Sequence, residues 1–470
     1  MSDTVFCGAR SPAAEPLLQA GEAEAVTYVQ EPRTSAARPS SRRGYAATPA
    51  SAHEVIVLGA GPAGLAAGLA LGQRALVLER EAGPGGLSCS LELEGAVFDV
   101  GGHSFHTPHP EIRRLVQESL ELFEQQRDAR CFSHGCLIPY PFQKHFRELS
   151  DAAVVRECAE GLEAAQPGRP ARHFAEFLEQ RFGAGIARHF LLPYNRKLWG
   201  QDLTRLSADW VGERVAAPEG VKEKFEEAGG QRKPLQPETR VAYPARGGFG
   251  EIMTALARRL PHVRYGEGVI AVDPSARIVH TEAGRAHQYH TLVSTLPLPW
   301  LLRLCHAPVA LQGEVDSLDV LSLKVVLLVI DGRVDCDVQR IYCADDTVPA
   351  HKIALNHNSS DYLRALPRHG IMAEVSCAQG AWRSDRELAR VIVAGLERMA
   401  VLRSSEVVAW RVLDARYAYP VPTHHRDPVV ARARAWLRER NIETVGRFGE
   451  WAYINSDEAM QRGLRLGHRL

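Results

Sequence analysis

The feature that most constrains this chain is the run from Glu54 to Glu79. Glu54-Val-Ile-Val-Leu58 is short, apolar and rich in β-branched residues, as in a strand buried on both faces of a parallel sheet. Gly59-Ala-Gly61-Pro-Ala-Gly64 follows, then an Ala/Leu-rich helix from Leu65 to Leu71 and a second strand, Ala75-Leu-Val-Leu78. Each glycine has its own task. Gly59 allows the tight turn, Gly61 lets a pyrophosphate approach the backbone, and Gly64 lets helix and strand pack closely. The helix N-terminus offers unpaired N–H groups to phosphate. Glu79, twenty residues after Gly59, stands where a carboxylate receives ribose hydroxyls. Glycine-dense turns follow at Pro84-Gly85-Gly86 and Asp99-Val-Gly101-Gly102-His103 instead of a third βαβ unit. Such turns bring backbone against a flat, extended ligand, so the expected cofactor is FAD rather than NAD.

The rest of the sequence narrows the class. Lysine plus arginine total 56 and aspartate plus glutamate total 56, so no basic field exists to hold nucleic acid or an anionic membrane. No apolar run reaches membrane-spanning length. The nine cysteines are scattered without a Cys-x-x-Cys pair, which fits free thiols and a cytoplasmic location. His103, His106 and His109 have no acidic partner beside them, and no metal site is expected. Neither a Gly-x-Ser-x-Gly elbow nor another nucleophile arrangement is present, so covalent chemistry falls to the cofactor.

The expected fold is α/β: a Rossmann-like FAD-binding domain with an inserted, mainly helical domain and an antiparallel β-sheet domain. Residues 1–52 are read as a disordered leader, poor in groups to bury. The FAD domain is discontinuous, at 53–109, 237–300 and 426–470. A mainly helical substrate domain occupies 110–236, with a β insertion near 131–145 and a mobile loop at Glu226 to Arg232. An antiparallel sheet at 301–425 covers the flavin.

Three clusters combine aromatics with cations or amides. They are Pro139-Tyr140-Pro-Phe142-Gln143, Phe190 to Trp199 with Trp210-Val-Gly-Glu-Arg214, and Gly446-Arg447-Phe448-Gly449-Glu-Trp451-Ala-Tyr453. Singly, each reads as core packing. Together with Tyr243-Pro-Ala-Arg-Gly-Gly-Phe-Gly250, Ser294-Thr-Leu-Pro297 and Tyr419-Pro-Val-Pro-Thr423, the chain resembles the UDP-galactopyranose mutase family over about residues 53–465. The resemblance implies interconversion of pyranose and furanose nucleotide sugars, with N5 of reduced flavin (FADH−) as nucleophile, UDP as leaving group and NADPH as a possible reductant. It places His103 and Arg447 beside the flavin, with Gly446 also on the cofactor. Arg214, Lys352, Tyr342, Tyr419 and Tyr453 would face the diphosphate, and Tyr140, Gln143, Phe190, Asn195 and Trp199 the uridine. The chain departs from the family pattern where Lys352 stands for an arginine and where Arg340 and Ser359 replace an aromatic pair. Lysine lacks the guanidinium fork. Two other readings stay open: an oxidase or dehydrogenase of the amine-oxidase or protoporphyrinogen-oxidase kind, and a non-catalytic flavin-binding protein.

Overall fold

A computed structural model describes residues 49–211, 240–377 and 384–470, together with backbone strands at Gly21–Glu22 and Val26–Tyr28. Two sheets organise it. The first is seven-stranded, in the order Val263–Arg264, Ala75–Leu78, Pro49–Leu58, Ala286–Ser294, Ile278–Thr281, Val269–Asp273, with Ile442–Thr444 also on Ala286–Ser294. Its central pairings are parallel, as the buried apolar runs require. Strand Ala286–Ser294, in the second FAD-domain segment of the sequence reading, returns to this sheet and lies beside the first Rossmann strand. Helix Pro62–Leu71 crosses below and packs on the last helix, Ser456–Arg469. A Cβ at Gly463 would fall 2.2 Å from the Ala63 carbonyl oxygen, and one at Gly467 would fall 2.6 Å from the Ala70 Cβ. These glycines set how closely the two helices approach.

The second sheet is nine-stranded. Its order is Gly21–Glu22, Val407–Pro420, Val320–Asp331, Arg368–Cys377, Lys352–Leu355, Arg340–Cys343, Ala129–Ser133, Cys136–Pro139, with Val26–Tyr28 also on Val407–Pro420. Its long central strands are antiparallel. Strand alternation gives it two unlike faces. Ile341, Ile353, Ile371 and Ala373 pack with Leu388, Ile392 and Leu396 of helix Asp385–Arg398. Arg340, Tyr342, Lys352, Ala354, Met372 and Glu374 occupy the opposite face in cross-strand register.

Three details differ from expectation. The leader is not structureless throughout: Gly21–Glu22 and Val26–Tyr28 run parallel to Val407–Pro420 and cover its outer edge, where unpaired backbone groups invite a partner. Residues 129–139 do not form an insertion within the helical domain, because Ala129–Ser133 pairs in parallel with Arg340–Cys343 and extends the large sheet. Leu298–Leu304 and Val309–Asp316 are helices whose apolar residues join the core of the dinucleotide sheet, so the covering sheet begins at Val320 rather than near 301. In the helical region, Phe174, Leu178 and Phe182 are buried on one face of Phe174–Phe182. Gly183, at φ +79°, ends that helix. The loop at Glu226 to Arg232 lies outside the described residues.

Candidate functional site

A cavity of about 510 Å³ lies between the two sheets. One end is built from backbone. Gly59 takes φ +95° and donates its N–H to the Leu78 carbonyl at 2.8 Å, tying the turn to the second strand. A Cβ at Gly64 would sit 1.9 Å from the Gly59 carbonyl oxygen, so only glycine lets the helix start so close to the strand. Gly61 borders the cavity, and a Cβ there would meet nothing nearer than the Gly85 carbonyl oxygen at 4.0 Å. The second glycine turn closes over the first. Gly85, at φ +126°, donates to the Ala60 carbonyl at 2.9 Å, and Gly86 takes φ +55°. Glu79 accepts from the Ala60 N–H at 2.6 Å and the Glu81 N–H at 2.9 Å, and burial pushes its carboxyl above the usual range.

In the middle of the cavity, the Gly101-Gly102-His103 turn presses onto the large sheet. Gly101 takes φ +88°, and a Cβ at Gly102 would lie 2.8 Å from the Ala354 Cβ and 3.0 Å from Arg340 Nε. Polar bonds lock the turn from both sides. Gly102 N–H donates to Glu374 at 2.7 Å, Lys352 Nζ donates to the Gly102 carbonyl at 3.3 Å, and Arg340 donates to the His103 carbonyl. Lys352 Nζ lies 2.7 Å from Glu374, and His351 Nε2 lies 3.7 Å from the other carboxylate oxygen. Burial works to raise the Glu374 carboxyl, but Lys352, His351 and the Gly102 N–H hold it below the usual range. His103 stacks on Phe249 with ring centroids 4.8 Å apart. Burial, reinforced by Lys352, pushes its imidazole down to about 3, so it is neutral near pH 7. Beneath the turn, buried Asp99 accepts from Ser90 Oγ at 2.6 Å, Tyr243 OH at 2.8 Å and Phe249 N–H at 2.9 Å. Burial still pushes its carboxyl up to about 6.

The far end is aromatic and cationic. The Arg127 guanidinium carbon lies 5.2 Å from the Tyr140 ring centroid and 5.8 Å from that of Tyr342, and Arg127 donates to the Tyr342 hydroxyl. Tyr194 meets Tyr342 edge-on at 6.0 Å and stacks on Phe190 at 5.6 Å. Tyr419 and Tyr453 lie 5.3 Å apart, and Trp199 packs on Tyr453 at 5.1 Å. Arg447 sits over Tyr419 and donates to the Ile454 and Ala418 carbonyls.

The structure thus brings Gly59, Gly61, Glu79, Gly86, Gly101, Gly102, His103, Lys352, Tyr419, Gly446, Arg447 and Tyr453 to one cavity wall. Gly64 and Gly85 stand behind it. Tyr140, Gln143, Phe190, Asn195, Trp199 and Tyr342 do not line it, although Tyr140 and Tyr342 touch its Arg127 and Trp199 its Tyr453. Of these, Phe190 is sandwiched between Phe142 and Tyr194, Trp199 is fully buried, and Asn195 donates to the Leu191 carbonyl at 2.8 Å. Arg214 lies outside the described residues. Sequence reasoning missed Arg127 and Glu374. The second left a signal, an acid at an inward position of an apolar strand, while a lone arginine such as Arg127 reads as solvent-facing.

Residues 62–442 match the family described as flavin containing amine oxidoreductase. The chain belongs to that family. This flavoenzyme family implies FAD, and the residues present fit it: the wall beside Gly61 is bare, the helix N-terminus faces it, and Glu79 stands at the end of the second strand. A solved structure of reduced UDP-galactopyranose mutase is similar to the chain at TM-score 0.80 and 26% identity, over 89% of this chain and 93% of that one. The zeta-carotene-forming phytoene desaturase of Myxococcus xanthus is 32% identical over 138 residues, 27% of this chain and 24% of the desaturase. The coproporphyrinogen III oxidase of Propionibacterium freudenreichii subsp. freudenreichii is 30% identical over 183 residues, 34% of each chain. The match therefore spans only about a quarter to a third of these curated relatives. Among the described residues, no helix is long and apolar enough to cross a membrane, no cluster of His, Cys, Asp and Glu could hold a metal, and the cysteines form no disulfide.

Proposed function

We propose that this flavoenzyme is a nucleotide-sugar mutase, interconverting pyranose and furanose forms of UDP-galactose or a related NDP-sugar. It would work with reduced FAD in the cytoplasm, with NADPH as a source of electrons. What supports the reading is the far end of the cavity, lined by Arg127, Lys352, Arg447, Tyr419 and Tyr453, with Tyr140 and Tyr342 packed behind Arg127. Such a wall suits a diphosphate leaving group: guanidinium and phenol donors stabilise the charge that develops on departure. An alkylamine substrate would meet like charge there, and a polyene would leave the donors unmatched.

Bound flavin supplies a nucleophilic nitrogen when reduced and a hydride acceptor when oxidised. The chain's own residues orient and polarise. Neutral His103, whose buried Nδ1 has no partner among the described residues, exchanges a hydrogen bond with a cofactor or sugar group beside it. Glu374 and Lys352 hold the Gly102 turn at fixed height over the sheet. Tyr419 and Tyr453 line the cavity and would face the diphosphate.

The test is turnover of reduced enzyme against a panel of UDP- and other NDP-sugars, followed by chromatography for furanose products. The expected result is isomer formation that requires prior reduction and consumes no stoichiometric oxidant. A second reading, an FAD-dependent oxidase or dehydrogenase, is favoured by the desaturase and coproporphyrinogen oxidase relatives. Peroxide released in step with substrate loss, without any isomer, would select it.

A further inference from the structure

Among the described residues, Lys352, Arg340, Arg447 and Arg127 approach the sheet side of the cavity, and they differ in how much of their donor capacity is already used. Lys352 is neutralised by Glu374 at 2.7 Å and also binds the Gly102 carbonyl. Arg340 donates to the Gln339 and His103 carbonyls. Arg447 spends its fork on the Ile454 and Ala418 carbonyls. Arg127 differs. Among the described residues it has no carboxylate within ion-pair distance, and its side chain makes a single hydrogen bond, to the Tyr342 hydroxyl. A guanidinium carries five N–H donors, and a partly buried one without an anion is costly to keep. Arg127 also lines the cavity, held over the Tyr140 and Tyr342 rings that fix its plane. Tyr342 is the direct cross-strand neighbour of Lys352, so Arg127 reaches the same patch from the other side.

Resting on the mutase reading above, we infer that Arg127 is a guanidinium that grips the substrate's diphosphate at this patch, beside whatever Arg214 contributes, and that Lys352, held by Glu374, acts chiefly as a positioning residue for the Gly102 turn. The Arg127 fork binds phosphate oxygens in pairs, and Tyr342 keeps it in place. The substitution of lysine for the family's arginine at 352 is thereby offset by a cation from the Leu122–Gln126 and Ala129–Ser133 connection.

The experiment is calorimetric titration of UDP, and separately of inorganic pyrophosphate, into FAD-loaded protein. Arg127→Met keeps the apolar stem and should weaken UDP at least tenfold, with FAD content unchanged. The double variant Lys352→Met/Glu374→Gln, which removes the pair without leaving a lone charge, should lose less than Arg127→Met. Arg127→Lys, the variant to use if Arg127→Met does not fold, should also lose UDP affinity, because the fork is gone. Pyrophosphate should follow the same order, since the contact is with phosphate. Arg127 variants that bind UDP within twofold of the parent overturn this inference and leave the mutase reading standing. A parent that binds no UDP overturns the mutase reading, and this assignment with it.

Discussion

At the dinucleotide end of the cavity, the groups that face the ligand come from a short continuous run of chain, and most are backbone: the turns at Gly59, Gly61 and Gly86, with Glu79 as the main polar side chain. At the sheet end they are side chains from distant segments, such as Lys352 against Gly102, which are 250 residues apart, and Glu374 against Gly102, 272 apart. Backbone cradles depend on the absence of a Cβ, so they fail sterically. Side-chain faces depend on charge balance, so they fail electrostatically and respond to pH. The same cavity therefore has one end whose shape is set by backbone and another whose charge balance a single substitution alters.

The sharpest way to break this contrast is at Gly64. Gly64→Val puts a side chain onto the Gly59 carbonyl oxygen, 1.9 Å from its Cβ, where backbone cannot yield cheaply. Overpacking of this kind costs ~1–3 kcal/mol or more. The purified variant should lack flavin absorbance near 450 nm (roughly the usual flavin band), and a fully yellow protein would show that the cradle tolerates a Cβ.

At the other end, Glu374→Ala leaves Lys352 and the Gly102 N–H without their acceptor. Removing one member of a buried pair costs ~3–5 kcal/mol. Urea unfolding should register most of that loss. Adding Lys352→Met to Glu374→Gln should recover stability relative to Glu374→Ala, and a double variant no better than the single would mean that the pair is not what Glu374 serves.

Asp99 joins the two ends and tests the electrostatic side through pH. Its carboxyl is raised from an ordinary 3.8 to about 6, so the folded chain holds this proton more tightly than the unfolded chain does. Its contribution is fully present below pH 3.8 and is lost as the pH rises through about 6. A shift of this size corresponds to about 3 kcal/mol. Asp99→Asn has no such titration, so its stability relative to the parent should rise by roughly that amount between about pH 4 and about pH 7. A constant difference across the range would remove Asp99 from the account.

The smallest effect is expected at Glu79. Glu79→Gln keeps an oxygen for the Ala60 N–H but loses the charge that strengthens hydrogen bonds to ribose hydroxyls. About 1–2 kcal/mol of FAD affinity should go, roughly tenfold, with little change in apoprotein stability. Reconstitution of apoprotein with FAD measures it, and an unchanged Kd would place the ribose elsewhere.

Much of the fold could be read before the structure. The strand–turn–helix–strand unit from Glu54 to Leu78 and an antiparallel sheet in the later part of the chain were both legible in the sequence. What escaped was sheet membership. The hairpin at Ala129–Ser133 and Cys136–Pro139 lies next to helices in sequence, yet its partner is Arg340–Cys343, more than two hundred positions later. Nothing local in a strand names its neighbour.

The sequence by itself determined the cradle, because Gly59, Gly61, Gly64 and Glu79 act within a single strand–turn–helix–strand unit whose geometry is local. It also marked Tyr419, Arg447 and Tyr453 as residues worth placing together. Only the tertiary structure decided that Lys352 is already paired with a carboxylate, that Arg127 has no carboxylate partner among the described residues, and that both flank Tyr342. Alternation along a strand says which side chains share a face, whereas the register between strands says which charges meet. That register is set by the whole sheet and its core, and it is written in no single segment of the chain.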